Sequence, residues 1–310
     1  MEFLNNLWTV TQQVLVLFLL MAVGFFTGKA KVFTDETVKY VSDFCLKIVT
    51  PAVIIKSFIR KFESDMAVGL LLALAAGIAC HLIGIGLATA IFRGKDIKRR
   101  NLLRNTAIFS NAGFMGLPLQ AALLGDDGVF YGAAYVVVLQ IFLWTYAYTT
   151  ASAGTVKFNA KKVLFNPGII SVVVGFPLFL LSVRIPDVLD TAITHVANLN
   201  TPLPMIIVGY YIANTSFKNL KLDSKTLLAI GLKLFIVPII CIFALYVVGY
   251  RDTMLVSTII SVSAPVAVAV TMFTAKFDGD AETSANSVSL ATLVSIVSMP
   301  LVIALAKTVA

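Results

Sequence analysis

The stretch that most constrains this chain runs from Asn105 to Leu124, NTAIFSNAGFMGLPLQAALL. It is apolar enough, and at about 20 residues long enough, to cross a bilayer as a helix. Its centre nevertheless places Asn111, Gly113 and Pro118 in mid-helix. Proline removes a backbone donor, and glycine tolerates angles that other residues avoid. The sequence therefore predicts an interrupted helix, which hydrocarbon tolerates only where protein or a water-filled cavity surrounds the break.

Composition decides whether that stretch lies in a membrane. The 310 residues are 59% hydrophobic and 13% charged, with a mean hydropathy of +0.93. An ordinary soluble domain is about 25% charged, so the sequence predicts an all-α integral membrane protein. In a soluble protein the net charge of +8 would suggest an anionic partner. Here it is assigned to cationic loops that orient the chain in the lipid bilayer, and no nucleic-acid partner is expected.

Ten segments approach the length and apolarity of a membrane span. They are Val10–Gly28, Thr37–Phe58, Met66–Phe92, Leu102–Leu124, Val129–Ser152, Pro167–Val183, Val188–Asn214, Thr226–Gly249, Thr253–Phe277 and Ala281–Ala306. The last has a polar start, because Glu282, Thr283 and Asn286 fall within it.

The loops between these segments differ in charge. Sixteen Lys and Arg residues fall in one alternate set of loops, including Lys29, Arg99, Lys161 and Lys225, and five fall in the other set. Because cytoplasmic loops carry the excess of positive charge, the first set is predicted to be cytoplasmic. Both termini would then be extracytoplasmic, in a multi-pass protein of the cell membrane.

The chain divides into residues 1–153 and 167–310, with a short polar linker at 154–166. Five spans in each half oblige the halves to insert with opposite orientation. Short matches recur at a nearly constant offset: Gly24 and Gly175 lie 151 positions apart, as do Thr50-Pro51 and Thr201-Pro202. The sequence therefore predicts two inverted five-helix repeats, an architecture common among secondary transporters.

The fourth and ninth spans are interrupted at matching places. In the ninth, Ser263-Ala264-Pro265 follows an apolar run. The start of a half-helix carries a partial positive charge that favours an anion. We therefore predict a substrate site built by Asn111, Gly113, Pro118, Ser263 and Pro265, with Ser263 as a helix cap. The alternative is a pair of plain proline kinks without a ligand.

Two further features could serve the same site. Thr50-Pro51 and Thr201-Pro202 interrupt the second and seventh spans, where their hydroxyls would face the cavity or freed carbonyls; kinks that serve packing alone are the alternative. Asp43 and Lys47 lie four residues apart and share a helical face. Asp43 is a candidate coupling group, although it lies near a span end, from which its side chain could reach water.

Other charged and polar residues in the spans receive structural interpretations. Lys56 is expected to reach the outer interface beside Arg60, and Lys233 to extend to the nearby cytoplasmic surface. His81 is expected to be a hydrogen-bonded packing residue. The sequence contains no phosphate-binding loop and no metal-ligand spacing, and Cys45, Cys80 and Cys241 fall in apolar spans. Enzymatic activity, a metal site and a cofactor are therefore not expected. A cleaved signal peptide is not expected either, because Glu2 is the one charged side chain from Met1 to Gln13 and no basic segment precedes the first apolar run.

The whole chain resembles the auxin efflux carrier family in its bacterial, short-loop form, whose members are often labelled malate permeases. The resembling segments are Thr50-Pro51-Ala52, FSNAGFMGLPL from Phe109, Asn166-Pro167, and SAPVAVAVTMFTAKF from Ser263. The resemblance implies ten helices in two inverted repeats, as in the bile-acid sodium symporters. Broken spans four and nine would then cross at the substrate, with Asn111, Pro118 and Pro265 at the crossing. It also implies elevator-type movement, frequently in a homodimer.

These observations converge on a secondary transporter of small organic anions, a mono- or dicarboxylate such as malate. The alternatives are an efflux carrier of auxin-like aromatic carboxylates and a membrane sensor that binds an anion without moving it. Plant members of the family often carry a long loop after the fifth span. This chain has about a dozen residues there, which makes the auxin-like alternative the weaker one. Coupling to protons, coupling to sodium and uncoupled movement all stay open.

Overall fold

Helices make up the regular structure of the described residues in the computed structural model, which are 1–156, 161, 164–215 and 223–310. A single β-bridge, between Ser110 and Val266, accompanies them in this part of the chain. Of the lysines that predicted the orientation, Lys157, Lys162, Lys218 and Lys221 lie outside the described residues, as does part of the predicted linker.

Fifteen α-helices are described in chain order. They are α1 Glu2–Lys29, α2 Asp35–Phe44, α3 Thr50–Phe58, α4 Ser64–Ile91, α5 Ile97–Ile108, α6 Leu117–Phe142, α7 Tyr148–Ala151, α8 Pro167–Leu180, α9 Asp187–Asn198, α10 Pro202–Ala213, α11 Ser224–Gly231, α12 Val237–Val247, α13 Asp252–Ser263, α14 Val268–Lys276 and α15 Ala281–Val309. Four π-helical turns join or precede some of them: Cys45–Val49, Ala112–Gly116, Leu143–Ala147 and Leu232–Ile236.

Five helical stretches in the described part of the chain are long and apolar enough to cross a membrane. They are Glu2–Lys29, Ser64–Ile91, Ala112–Ala151, Ser224–Val247 and Ala281–Val309. The shorter helices Pro167–Leu180 and Asp252–Ser263 are also apolar. The prediction of an all-α membrane protein is confirmed at this level.

The longest stretch, Ala112–Ala151, reverses direction at Gly125, where φ is +62° and ψ is −150°. Gly132 follows Gln120 by twelve residues, which is about 18 Å along a straight helix. A Cβ on Gly132 would nevertheless lie 1.9 Å from Oε1 of Gln120. The chain therefore folds back into a hairpin at Gly125, and the predicted boundary between the fourth and fifth segments falls at this turn.

Prolines explain three of the four described π-helical turns. Each of these turns ends two residues before a proline: Pro51, Pro118 or Pro238. Proline has no N–H to donate, and its ring clashes with the carbonyl four residues earlier. The wider π turn removes that clash, and the residue before each proline donates five residues back instead. The predicted proline kinks are thus local widenings of continuous helices at Pro51 and Pro118.

Glycines set the closest helix contacts. A Cβ on Gly24 of α1 would lie 2.0 Å from the carbonyl oxygen of Ile206 on α10, and a Cβ on Gly209 of α10 would lie 1.9 Å from that of Met21 on α1. The matching glycine of the second half, Gly175 of α8, faces Phe58 of α3, and a Cβ on Gly175 would lie 2.9 Å from that ring. Small residues let helix backbones approach in this way within a membrane.

The apolar core consists of three clusters, and each of them includes residues at or beside the two helix breaks. The largest includes Val266 together with residues of α4 to α6 and α11 to α15. The second includes Ala264 and packs α1 against α10, α13 and α15. The third is small and joins Phe114 to α2 and α10. Residues of the two predicted breaks therefore contribute to all three clusters.

Candidate functional site: a crossing of two broken helices

The two predicted helix breaks meet in space. Residues 109–111 and 264–267, which we call the crossing segments, run antiparallel and pair through their backbones. The N–H of Asn111 donates to the carbonyl of Pro265 at 2.7 Å, and the N–H of Ala267 donates to the carbonyl of Phe109 at 3.0 Å. Each break thus satisfies groups that the other exposes, which is what irregular backbone at membrane depth requires.

Four helix ends surround this bridge. Helices α5 and α13 end at it, while the turn Ala112–Gly116 and helix α14 begin at it. The first residues of a helix have N–H groups with no intrahelical partner and carry a partial positive charge. Two such positive ends therefore point toward one place that is shielded from water, since Asn111 is 9% exposed. An anion is the complementary ligand.

Open space lies beside one of these helix starts. A Cβ on Gly113 would have no other atom within 4 Å, although Ala112, Phe114 and Gly116 around it are buried. On the neighbouring side, Phe114 packs with Val38, Cys45, Ile207 and Tyr210 of α2, the following turn and α10. The space is thus bordered by free backbone donors and by an apolar wall.

Several site residues differ from their predicted roles. Ser263 is the last residue of α13, and its hydroxyl donates to the carbonyl of Ile260 at 3.2 Å, so its assignment as an N-terminal cap is wrong. Ala267 occupies that position instead. Pro265 lies in the extended crossing segment between α13 and α14. Pro118 follows the break, because the interruption falls at residues 109–111.

The two Thr-Pro motifs are brought together through a residue that the sequence did not single out. The hydroxyl of Thr50 donates to Oδ1 of Asn200 at 3.3 Å, and both residues are buried. Asn200 directly precedes Thr201 and Pro202, which begin α10. Its position directly before the Thr201-Pro202 motif is the sequence feature that could have identified Asn200 as a candidate residue. Pro51 is the second residue of α3.

A cavity of about 430 Å³ borders this second interruption. Its lining includes Asn200, Thr201, Ala121 and Asp126, together with the ion pair between Lys56 and Asp190, whose Nζ and Oδ1 are 2.5 Å apart. Lys56 therefore pairs with α9 instead of extending beside Arg60 to the interface, which corrects its predicted placement. This polar recess lies between α3, α9 and the first half of α6.

The candidate coupling pair forms but lies at the surface. Nζ of Lys47 is 2.7 Å from Oδ2 of Asp43, as their spacing predicts. Their side chains are 62% and 50% exposed, which favours the alternative in which they reach out of the apolar interior.

Lys233 shows the largest departure from prediction. It is completely buried, and its ammonium donates to the carbonyl of Val262 at 2.7 Å, so its predicted extension to the surface is wrong. His81 behaves as predicted: it is buried, shares a 2.8 Å hydrogen bond with the carbonyl of Gly77, and stacks on Phe142.

The end of the molecule that carries the positive loops is held by charged contacts. Arg99 of α5 bonds Oδ1 of Asp223 at 2.7 Å and the Thr226 hydroxyl at 2.6 Å. Hydrogen bonding by Thr226, aided by Arg99, holds the pKa of Asp223 below its usual value. Among the described residues, no group of three or more His, Cys, Asp and Glu side chains is placed to hold a metal ion.

Membrane-length helices and two broken helices that pair at a shared crossing define an integral membrane protein of the transporter class. The family described as "Membrane transport protein" matches residues 9–160 and 149–303. The chain therefore belongs to this family, the auxin efflux carrier family, as its resemblance predicted.

Two similar proteins are also named as transporters. A protein of Methanothermobacter thermautotrophicus named "Uncharacterized transporter" is 24% identical over 302 residues, which cover 94% of this chain and 96% of the relative. A protein of Rhizobium meliloti named "Putative malonate transporter" is 21% identical over 298 residues, covering 93% of this chain and 92% of the relative.

Proposed function

We propose that this protein is a secondary active transporter of small organic anions, a mono- or dicarboxylate such as malate or malonate. The substrate binds at the crossing, and the protein carries it by elevator-type alternating access. The ten segments form two inverted five-helix repeats in the cell membrane, with both termini extracytoplasmic and with two copies in a homodimer. Movement is coupled to protons, coupled to sodium, or uncoupled.

The observation that carries the proposal is the pairing of the two breaks. It brings two helix starts to one buried place with open space beside Gly113. A carboxylate suits such donors because its oxygens accept hydrogen bonds from several N–H groups at once. The relative named for malonate transport supports a short carboxylate as the substrate.

The repeat is supported by matched packing in the two halves. Gly24 of α1 lies against α10, and its counterpart Gly175 of α8 lies against α3. The first helix of each half thus rests on a helix that follows the Thr-Pro motif of the other half. Such reciprocal contacts are expected when two halves are related by a pseudo-two-fold axis.

Replacing Asn111 with alanine tests the site. The amide at the crossing is expected to contribute a hydrogen bond to the charged substrate, which is worth about 1.5–3 kcal/mol. We expect the KM for malonate uptake into proteoliposomes to rise by roughly tenfold to a hundredfold. Asn5, which is exposed near the start of α1, provides the matched control as Asn5→Ala. Unchanged affinity and rate in Asn111→Ala would remove Asn111 from the site.

A substitution at Gly113 provides a second test, which distinguishes an effect on substrate binding from an effect on protein stability. Because a Cβ there meets no protein atom within 4 Å, Gly113→Ala is expected to keep the melting temperature within a few degrees of wild type. If the substrate occupies that space, the added methyl group competes with it, and we expect the KM for malonate to rise by about tenfold. Gly116→Ala is the contrast, since its Cβ would lie 3.3 Å from that of Ala112. Gly113→Ala with wild-type transport would show that the space is not used.

Flux separates this function from that of an anion sensor, which would use the same crossing. A transporter accumulates or releases labelled malonate across a sealed vesicle, whereas a sensor binds it without movement. Binding to purified protein with no flux in either direction would favour the sensor.

A further inference from the structure

A buried lysine side chain lies near the crossing, and no carboxylate among the described residues pairs with it. Lys233 belongs to the π turn Leu232–Ile236, and its side chain is 0% exposed. Lysine is almost never fully buried unless it is paired. None of the ion pairs among the described residues includes Lys233. The titratable side chains that interact with it electrostatically are Cys80 and His81 of α4 and Cys241 of α12.

The hydrogen bond of Lys233 places its charge at a particular helix end. Nζ donates to the carbonyl of Val262 at 2.7 Å, and Val262 is the penultimate residue of α13. The last carbonyls of a helix lack intrahelical partners and carry a partial negative charge. Pro265, which accepts the N–H of Asn111, follows Val262 by three residues, a span of at most about 10 Å.

The position of this ammonium affects the balance of helix-end charges at the crossing. The starts of the turn Ala112–Gly116 and of α14 attract an anion, but the ends of α5 and α13 repel it. An ammonium on the end of α13 offsets one of the repelling charges and adds a full positive charge. In a buried site such a charge acts over about 10 Å with little screening.

We infer that Lys233, in its protonated form, sets the anion selectivity of the crossing and raises its affinity with the number of negative charges on the ligand. This inference rests on the proposed function, because it assigns a counter-charge to the same site. Lys233 is a specificity-determining and positioning residue, and Val262 holds its ammonium in place.

Two neutral variants test the role of the charge. Lys233→Met has a similar length and removes a buried charge, a change that proteins often tolerate without loss of stability. Lys233→Gln is also neutral but keeps a hydrogen-bond donor for the end of α13. Lys225→Met removes an exposed lysine of α11 and serves as the matched control. Dissociation constants for malonate and propionate are measured by calorimetry on full-length protein at about pH 6.5, where the carboxyl groups of both acids are largely ionised and a lysine ammonium is protonated.

The expected result is a loss of affinity that grows with ligand charge. In both neutral variants we expect propionate to bind roughly tenfold and malonate roughly a hundredfold more weakly, since Coulomb energy scales with charge. Lys225→Met should bind both acids as wild type does. Equal losses for the two acids in a folded variant, or wild-type affinity in either neutral variant, would overturn the inference and leave the proposed function standing. A wild-type protein that binds neither acid would overturn both.

Discussion

Gly24→Ala is expected to lower the melting temperature of the purified protein by about 5 °C or more. A methyl group at this position would lie 2.0 Å from the carbonyl oxygen of Ile206 and 2.7 Å from its carbonyl carbon. These are backbone atoms of a packed helix, so no side-chain rotation relieves the contact. The α1–α10 pair must separate, and the apolar cluster that joins these helices to α13 and α15 loses contacts.

The size of the effect follows from the packing of interiors. Overpacking a core by one methyl group costs about 1–3 kcal/mol, and a clash with backbone lies at or above the top of that range. Gly86→Ala in α4 is the matched control, because no atom lies within 4 Å of the added Cβ. Alanine has a higher helix propensity than glycine at both sites. Propensity alone would therefore raise the stability of Gly24→Ala, so a lower melting temperature must come from the clash. Equal melting temperatures for the two variants would contradict the observed approach of α1 and α10.

Ala267→Pro is expected to disable transport while the protein still folds. The φ of Ala267 is −65°, which is the value that a proline ring imposes, so residue 267 itself is not strained, but Cδ of the ring displaces the carbonyl of Phe109. The substitution removes one N–H, which donates to the carbonyl of Phe109 at 3.0 Å. That carbonyl is then left unsatisfied in a buried place, at a cost of about 1–3 kcal/mol.

Val268→Pro provides the control for this change. Val268 is the first residue of α14, where proline is well tolerated because its N–H has no intrahelical partner. We expect Ala267→Pro to lower the melting temperature by several degrees more than Val268→Pro. Malonate uptake by Ala267→Pro should fall by at least about tenfold, since the crossing loses one of its two backbone bonds. Wild-type uptake by Ala267→Pro would mean that the bridge does not hold the transport-competent crossing.

Much of the architecture was predictable because it depends on local chemistry. Hydropathy identifies apolar segments, and proline and glycine act on the few residues around them, so the breaks near Asn111 and Pro265 were found without a structure. The spacing of Asp43 and Lys47 likewise predicted their ion pair. These are effects between residues at most a few positions apart.

Other features depend on elements that are distant in sequence. Ser110 and Val266 pair although they lie 156 positions apart, so no local pattern identifies them as partners. Ser263 was predicted to cap the start of a helix, but in the structure it is the last residue of α13. The partner of Thr50, Asn200, comes from the other half of the chain.

The sequence by itself determined that this protein lies in a membrane, that its helices break at two matched places, and that it resembles auxin efflux carriers. Only the tertiary structure decided which backbone groups close each break and which lysine is enclosed beside them. Lys233 lies about two helical turns from a charged loop in sequence, yet α13 covers its ammonium. The physical reason is that polarity and backbone freedom belong to single residues, whereas burial and hydrogen-bond partners are properties of helices packed together.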